Sequence, residues 1–197
     1  MKVIRKQTID TETFELGDEI RFKFTTGEKV RAKAVQKCEK GTFFITKDCI
    51  GKEMPMYENP SEKHLDYFHS DLRKYLNSEL LSLFPEKIRS RMLPMMIRGS
   101  YYEDYLRIPT EKEIFGKNHW DTNDIYTKQF YGMNHRRNRI ATDGKDKLEW
   151  YWLLNNVFGD YFAYVSSTGF ANFGFASTSR SVRVVFELSN GEANDDF

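Results

Sequence analysis

The feature that most constrains this chain is an aromatic ribbon close to its end. Glu149-Trp150-Tyr151-Trp152-Leu153-Leu154 leads into Phe162-Ala163-Tyr164-Val165-Ser166-Ser167-Thr168-Gly169-Phe170-Ala171-Asn172-Phe173-Gly174-Phe175, and Val182-Arg183-Val184-Val185-Phe186-Glu187-Leu188 closes it. Aromatic and β-branched residues at a spacing of two suit a pleated sheet and crowd the turns of a helix. Val182, Val184, Phe186 and Leu188 fall on one strand face and are expected core, with Trp152 beside them. Phe173 and Phe175 share a face, and the same rule predicts burial of at least half the ribbon aromatics.

Strands are also expected near the other end. Ile20, Phe22 and Phe24 alternate with Arg21 and Lys23, Thr25-Thr26-Gly27-Glu28 makes a turn, and Val30, Ala32 and Ala34 alternate on the return. Lys40-Gly41 turns into Thr42-Phe43-Phe44-Ile45-Thr46, completing an antiparallel meander. Between the two strand regions Ser70 caps a helix running to about Leu83, with Leu72, Tyr75, Leu76, Leu80 and Leu83 on one stripe. Pro85 is placed to open a second short helix carrying Ile88 and Met92, which Pro94 stops. Thr110-Glu111-Lys112-Glu113 is a capping box for a helix ending near Gly116, and residues 117–147 read as loops. Strands, helices, loops and strands again give an α+β domain whose first and last strands can pair in one sheet. Its expected bounds are 14–188, between an N-terminal extension (1–13) and a polar tail (189–197).

Charge narrows the possible partners. Thirty basic residues against 29 acidic ones leave a net charge of +1, which gives no general pull toward nucleic acid or an anionic membrane. The basic run His135-Arg136-Arg137-Asn138-Arg139 reads as a solvated loop or as arginines pairing with Asp143, Asp146 and Glu149. Cys38 and Cys49 match no metal spacing and are expected as thiols in neighbouring strands of an intracellular protein. The charged N-terminus lacks a signal-like apolar segment and no window is long enough to span a bilayer, so the expected location is the cytoplasm or a phage particle.

No arrangement with catalytic spacing is present. His64, His69, His119 and His135 show no metal-binding pattern, and Asp121, Asn123 and Asp124 lack the glycine and distal glutamate of a calcium loop. There is no glycine-rich phosphate loop and no Gly-x-Ser-x-Gly elbow. Neither a cofactor nor a metal is expected.

Four motifs in order carry a resemblance. Ser70-Asp71-Leu72-Arg73-Lys74-Tyr75-Leu76-Asn77, Ile108-Pro109-Thr110-Glu111-Lys112-Glu113-Ile114-Phe115-Gly116, Tyr151-Trp152-Leu153-Leu154-Asn155 and Ser181-Val182-Arg183-Val184 resemble the Ser-x-Leu-Arg-x-Trp-Leu-Asn, Leu-x-Ser-x-x-Glu-Ile-Phe-Gly, Trp-Trp-Leu-Arg-Ser and Gly-Val-Arg-Pro motifs of a family of uncharacterised bacterial and prophage domains. The hairpin Val165–Gly169 matches that family's Val-x-x-x-Gly segment. Leu154 and Asn155 stand where the family carries Arg-Ser, and Val184 where it carries Pro, so no role of that arginine transfers. The ending is in turn similar to that of formylglycine-generating enzymes and of retroelement-diversified variable proteins, which implies a C-type-lectin-like fold with a twisted antiparallel sheet displaying a ligand face. The cysteines are not placed at the C-terminal catalytic positions of those enzymes.

The functional expectation is therefore a non-catalytic ligand-binding or recognition module, with a protein or carbohydrate ligand. Asn155, Asn156, Tyr161, Tyr164 and Asn172 are the candidate ligand-binding residues, because rigid aromatics and adaptable amides suit recognition. A divergent relative of the formylglycine-generating oxidases and a structural subunit of a phage particle remain the alternatives.

Overall fold

Alternation in the first third produces the meander β1 (Glu19–Lys23), β2 (Lys29–Lys37) and β3 (Gly41–Thr46). In this computed structural model, which describes residues 13–60, 65–96, 103–120 and 127–191, the meander is joined by a strand from the far end of the chain. That strand, β12 (Val185–Ser189), lies antiparallel to β3, pairing Val185 with Ile45 and Ser189 with Gly41. A two-residue strand, β4 (Met92–Leu93), completes the order β1-β2-β3-β12-β4. First and last strands thus share one sheet. Residues 1–12 and 192–197, most of the expected extension and tail, lie outside the described residues, as do His64 and the Asp121–Asp124 segment.

Ser70 accepts a hydrogen bond from the Arg73 amide at 3.1 Å and starts helix α1 (Asp71–Tyr75). The helix continues through a π-helical turn (Leu76–Leu80) into α2 (Leu81–Leu83). Leu72, Tyr75, Leu76 and Leu80 are buried along the expected stripe. Pro85 stands one position earlier than expected, as N-cap of α3 (Glu86–Arg89). Met92 belongs to no helix: it pairs with Leu188, because the β12 edge supplies hydrogen bonds that a helix end would leave unmade. β5 (Met95–Met96) and β6 (Glu103–Asp104) follow as a short pair.

The capping box holds, with Thr110 and Glu113 exchanging side-chain and backbone bonds at the start of α4 (Glu111–Phe115). Gly116 ends it at φ 76°, a left-handed backbone that glycine adopts without strain. The basic run forms one helical turn, α5 (Arg136–Arg139), rather than a loop. Its arginines form no ion pair with Asp143, Asp146 or Glu149. Arg139 instead donates to the Met133 and Asn134 carbonyls, Arg136 lies over Phe170, and Glu149 takes Lys147 at 2.7 Å.

After the short pair β7 (Ala141–Thr142) and β8 (Leu148–Glu149), the aromatic ribbon folds as a second sheet. It consists of β9 (Tyr151–Phe158), β10 (Tyr161–Val165) and β11 (Ala171–Phe175), with β10 in the middle. A parallel bridge between Tyr151 and Ser181 ties this sheet to the segment entering β12.

Both sheets bury material on both faces. Phe44, Phe186 and Leu188 of the first sheet join Trp152, Phe162 and Tyr164 of the second in the larger core. Ile45 and Val185 join Tyr151, Leu153, Ala163 and Val165 in a smaller core on the reverse side. This double burial explains why Val182, Val184, Val185 and Phe186 read as a nearly continuous apolar run, each fully buried. The result is a mixed α+β fold with a curled antiparallel sheet and a few short helices.

Candidate functional site

The ribbon register decides which aromatic side chains face solvent. Tyr161 pairs with Phe175, Ala163 with Phe173 and Val165 with Ala171, so these six share one face. Phe162 pairs with Gly174 and Tyr164 with Asn172, on the opposite face. The hairpin that sets this register turns at Gly169, whose φ is 81°. A Cβ there would stand 2.9 Å from the Arg136 carbonyl oxygen. Ser166 accepts from the Phe170 amide through its hydroxyl and closes the turn.

On the first face the inner end is core and the outer end is open. Phe158, Phe173 and Phe175 are 56%, 36% and 49% exposed and surround the half-buried Tyr161. Tyr161 meets Phe175 at 4.4 Å between ring centroids, Phe158 at 4.6 Å and Phe173 at 5.7 Å. Trp120 extends the cluster edge-on to Phe173 at 5.3 Å, and His119 lies against Trp120. Burial, assisted by Lys117 and Arg139, lowers the His119 pKa and favours the neutral ring. The expected shared face of Phe173 and Phe175 exists, but it is exposed, because β11 is the edge of a sheet whose core ends at Ala163 and Val165.

The second face carries a cation. Tyr164 is buried and supports the Arg180 guanidinium, whose Cζ lies 3.6 Å from the ring centroid, with Trp150 and Trp152 at 5.3 and 5.0 Å. Trp150 is parallel to Tyr164 within 9° and 45% exposed. Gly174 leaves room for the guanidinium: a Cβ there would come within 2.6 Å of Nη2.

The five candidate residues are therefore divided. Asn155 is buried, not exposed, and its Oδ1 accepts from the Glu111 amide at 2.7 Å, anchoring α4 to β9. Tyr164 is also buried, beneath Arg180, because its side of β10 turns toward the larger core. Asn156 is partly exposed and donates to the Gly159 carbonyl at the β9–β10 turn. Tyr161 lies at the centre of the exposed aromatic cluster. Asn172 is exposed on the opposite face, across from Tyr164. Sequence reasoning missed Phe158 and Phe175 as surface residues, since a period of two groups residues by face without saying which face is wet. It missed Arg180 entirely: Ser179-Arg180-Ser181 carries no pattern, and the contacts that distinguish it are distant in sequence.

Chemistry elsewhere is muted. An open cleft of about 520 Å³ between β2 and the Asp143–Lys145 turn is lined by Glu28, Arg31, Asp48 and Cys49. Asp48 is engaged by Arg31 and Thr142, and burial pushes the Cys49 thiol up to about 12. Both cysteines are free. Among the described residues no group of three or more His, Cys, Asp or Glu side chains is disposed to hold a metal ion, and no helix is long and apolar enough to cross a membrane.

The profile of a family described as a domain of unknown function, DUF6273, matches residues 40–190, and the chain belongs to that family. No curated protein matches it, and no solved structure matches it.

Proposed function

We propose that this domain is a recognition module that binds a protein or carbohydrate ligand without transforming it, on a C-type-lectin-like scaffold. The observation that carries this reading is the exposed cluster of Phe158, Tyr161, Phe173 and Phe175 at the outer end of the ribbon. Large apolar rings kept in water and in mutual contact mark an interaction surface more often than a stability device. Aromatic rings also provide rigid contact area at small entropic cost. Part of the core lies directly behind them, so the scaffold holds the rings in place before any ligand arrives.

The oxidase alternative gains no support from the cysteines, since Cys49 is buried with a raised pKa and Cys38 is also shifted upward by burial. The prophage setting belongs to the same proposal, and tail or capsid genes beside this one would support it.

The test compares the wild type with a Phe158→Ser/Phe175→Ser double variant on a glycan array and in selection from a random peptide-display library. The reading predicts ligands retained by the wild type and lost by a variant that remains folded by circular dichroism. Identical retention by both proteins overturns it. So does a wild type that self-associates through these rings and selects nothing, the behaviour of a structural subunit.

A further inference from the structure

We infer that Arg180 and Trp150 form a second binding site, on the opposite face of the ribbon, for an acidic sugar. Its carboxylate would meet the Arg180 guanidinium and its ring would lie on the Trp150 indole. Other guanidiniums of this chain are satisfied by oxygen acceptors. Arg107 is paired with Glu113 and Arg73 with Asp104, both through two hydrogen bonds. Arg183 donates to the Thr46 and Asn138 carbonyls and to the Tyr151 hydroxyl. Arg180 is treated differently. It forms no ion pair among the described residues, its Nε is sealed from solvent without an acceptor, and what surrounds it is aromatic.

A cation drawn partly out of water without a counter-ion is costly, and aromatic faces return only part of that cost. Burial accordingly lowers the Arg180 pKa, opposed by Tyr164, with which it shares a side-chain hydrogen bond; among the described residues no carboxylate and no second cation acts on it. The arrangement is therefore complete as a stacked cation and incomplete as an ion pair. With Nε covered, the two Nη groups are the end of the fork that remains for a ligand. A planar carboxylate matches that fork. A phosphate would call for the additional cations or converging backbone amides that phosphate sites use, and among the described residues no second cation acts on Arg180.

The surroundings favour a hydroxylated ring as the body of the ligand. Trp150 offers an exposed flat indole beside the cation. Asn172, exposed on the same face, accepts from the Phe173 amide through Oδ1 and so has its amide hydrogens to donate. Thr178 and Ser179, next to Arg180 in the chain, are exposed hydroxyls. An amide donor on the same face as an aromatic platform suits a pyranose better than an apolar side chain.

The experiment is a tryptophan-fluorescence titration of the full chain with galacturonic acid, N-acetylneuraminic acid, neutral galactose, inorganic phosphate and a dipeptide with a free C-terminus. Saturable quenching by at least one acidic sugar is expected, with galactose about tenfold weaker or more. Arg180→Gln and Trp150→Ala should each weaken the acidic sugar about tenfold or more. Should Arg180→Gln fail to fold, Gly174→Ala decides: its Cβ forces Nη2 to move and leaves the charge in place, so the acidic sugar should bind more weakly. Equal binding of galactose, stronger binding of phosphate or the dipeptide, no saturation by either acid, or unchanged affinity in a folded Arg180 or Gly174 variant overturns the proposal. The Phe158→Ser/Phe175→Ser variant should bind acidic sugars as the wild type does, so this site and the aromatic face can fail independently.

Discussion

Arg107 and Glu113 are joined by two hydrogen bonds, Nη1 to Oε2 at 2.7 Å and Nη2 to Oε1 at 2.6 Å, with both side chains almost wholly buried. Glu113 Oε2 also accepts from the Thr110 amide at 2.9 Å, so one carboxylate closes the helix cap and neutralises the cation. The Arg107 backbone bridges to Val185 in both directions, linking this pair to β12 of the first sheet. Removing one partner leaves a buried charge uncompensated, so Arg107→Met should cost about 3–5 kcal/mol. The Arg107→Met/Glu113→Leu double variant should recover a large part of that loss, as measured by urea unfolding of the three proteins.

Neighbouring ribbon positions should differ sharply in their effect on stability. Phe162 is fully buried in the larger core, whereas Phe175, one register position away on the other face, is half in solvent. Phe162→Ala should cost about 3–5 kcal/mol. Phe175→Ala should cost less than about 1 kcal/mol, mainly its ring contact with Tyr161. Thermal melts of the two variants check this, and comparable losses would mean that the Phe175 ring is part of the core.

The contrast shows how far the sequence is legible. Period-two patterning and turn residues locate the meander, the hairpin and the strand ending at Leu188, because those signals are local. The capping box at Thr110 and the N-cap at Ser70 can be read for the same reason. What alternation cannot supply is the wet side of β11 or the burial of Asn155 and Tyr164, which depend on where the second sheet lies against the first. The short strand at Met92 and the Arg180 stack depend on residues 96 and 16 positions away, respectively, and leave no local trace. The four sequence motifs themselves turn out to be framework. Ser70 caps a helix, Arg73 holds Asp104, Glu113 holds Arg107, and Arg183 ties three segments together. These residues therefore hold the scaffold together.

Asn77, the last residue of the first motif, is a clear case. From the π-helical turn it donates to the Leu106 carbonyl at 2.8 Å and accepts from the Tyr105 and Leu106 amides at 2.9 and 3.0 Å. Asn77→Ala leaves these backbone groups without partners and should cost about 1–3 kcal/mol. Asn77→Asp keeps the acceptor and loses the donor, so it should fall between wild type and alanine in chemical denaturation at neutral pH.

Thiol reactivity should separate the cysteines. Burial raises the pKa of both, the half-buried Cys38 and the buried Cys49, the latter to about 12. Since the thiolate is the reacting form, a disulfide reagent at about pH 8 should label Cys38 slowly and Cys49 only after unfolding. Mass spectrometry of the labelled peptides reads the order, and early modification of Cys49 would contradict its burial.

Glu187 gives the fold a pH dependence whose sign can be worked out. Its side chain lies on β12, and burial raises its pKa above the ordinary 4.5, with the Arg107 charge opposing the shift. The folded chain therefore holds this proton to a higher pH than the unfolded chain does. Between the two pKa values the native state binds more protons, so stability falls as pH rises. The contribution is fully present below the unfolded value and is lost as pH passes through the folded one. Glu187→Gln keeps the site neutral throughout. It should raise the melting temperature near neutral pH, with the gain shrinking as pH falls toward about 4.5 and below, in melts taken from about pH 4 to about pH 8. Because the Glu187 charge also raises the Cys38 pKa, the same variant should make Cys38 react faster at neutral pH. A gain in stability that is constant with pH would assign the effect to packing rather than to the buried charge.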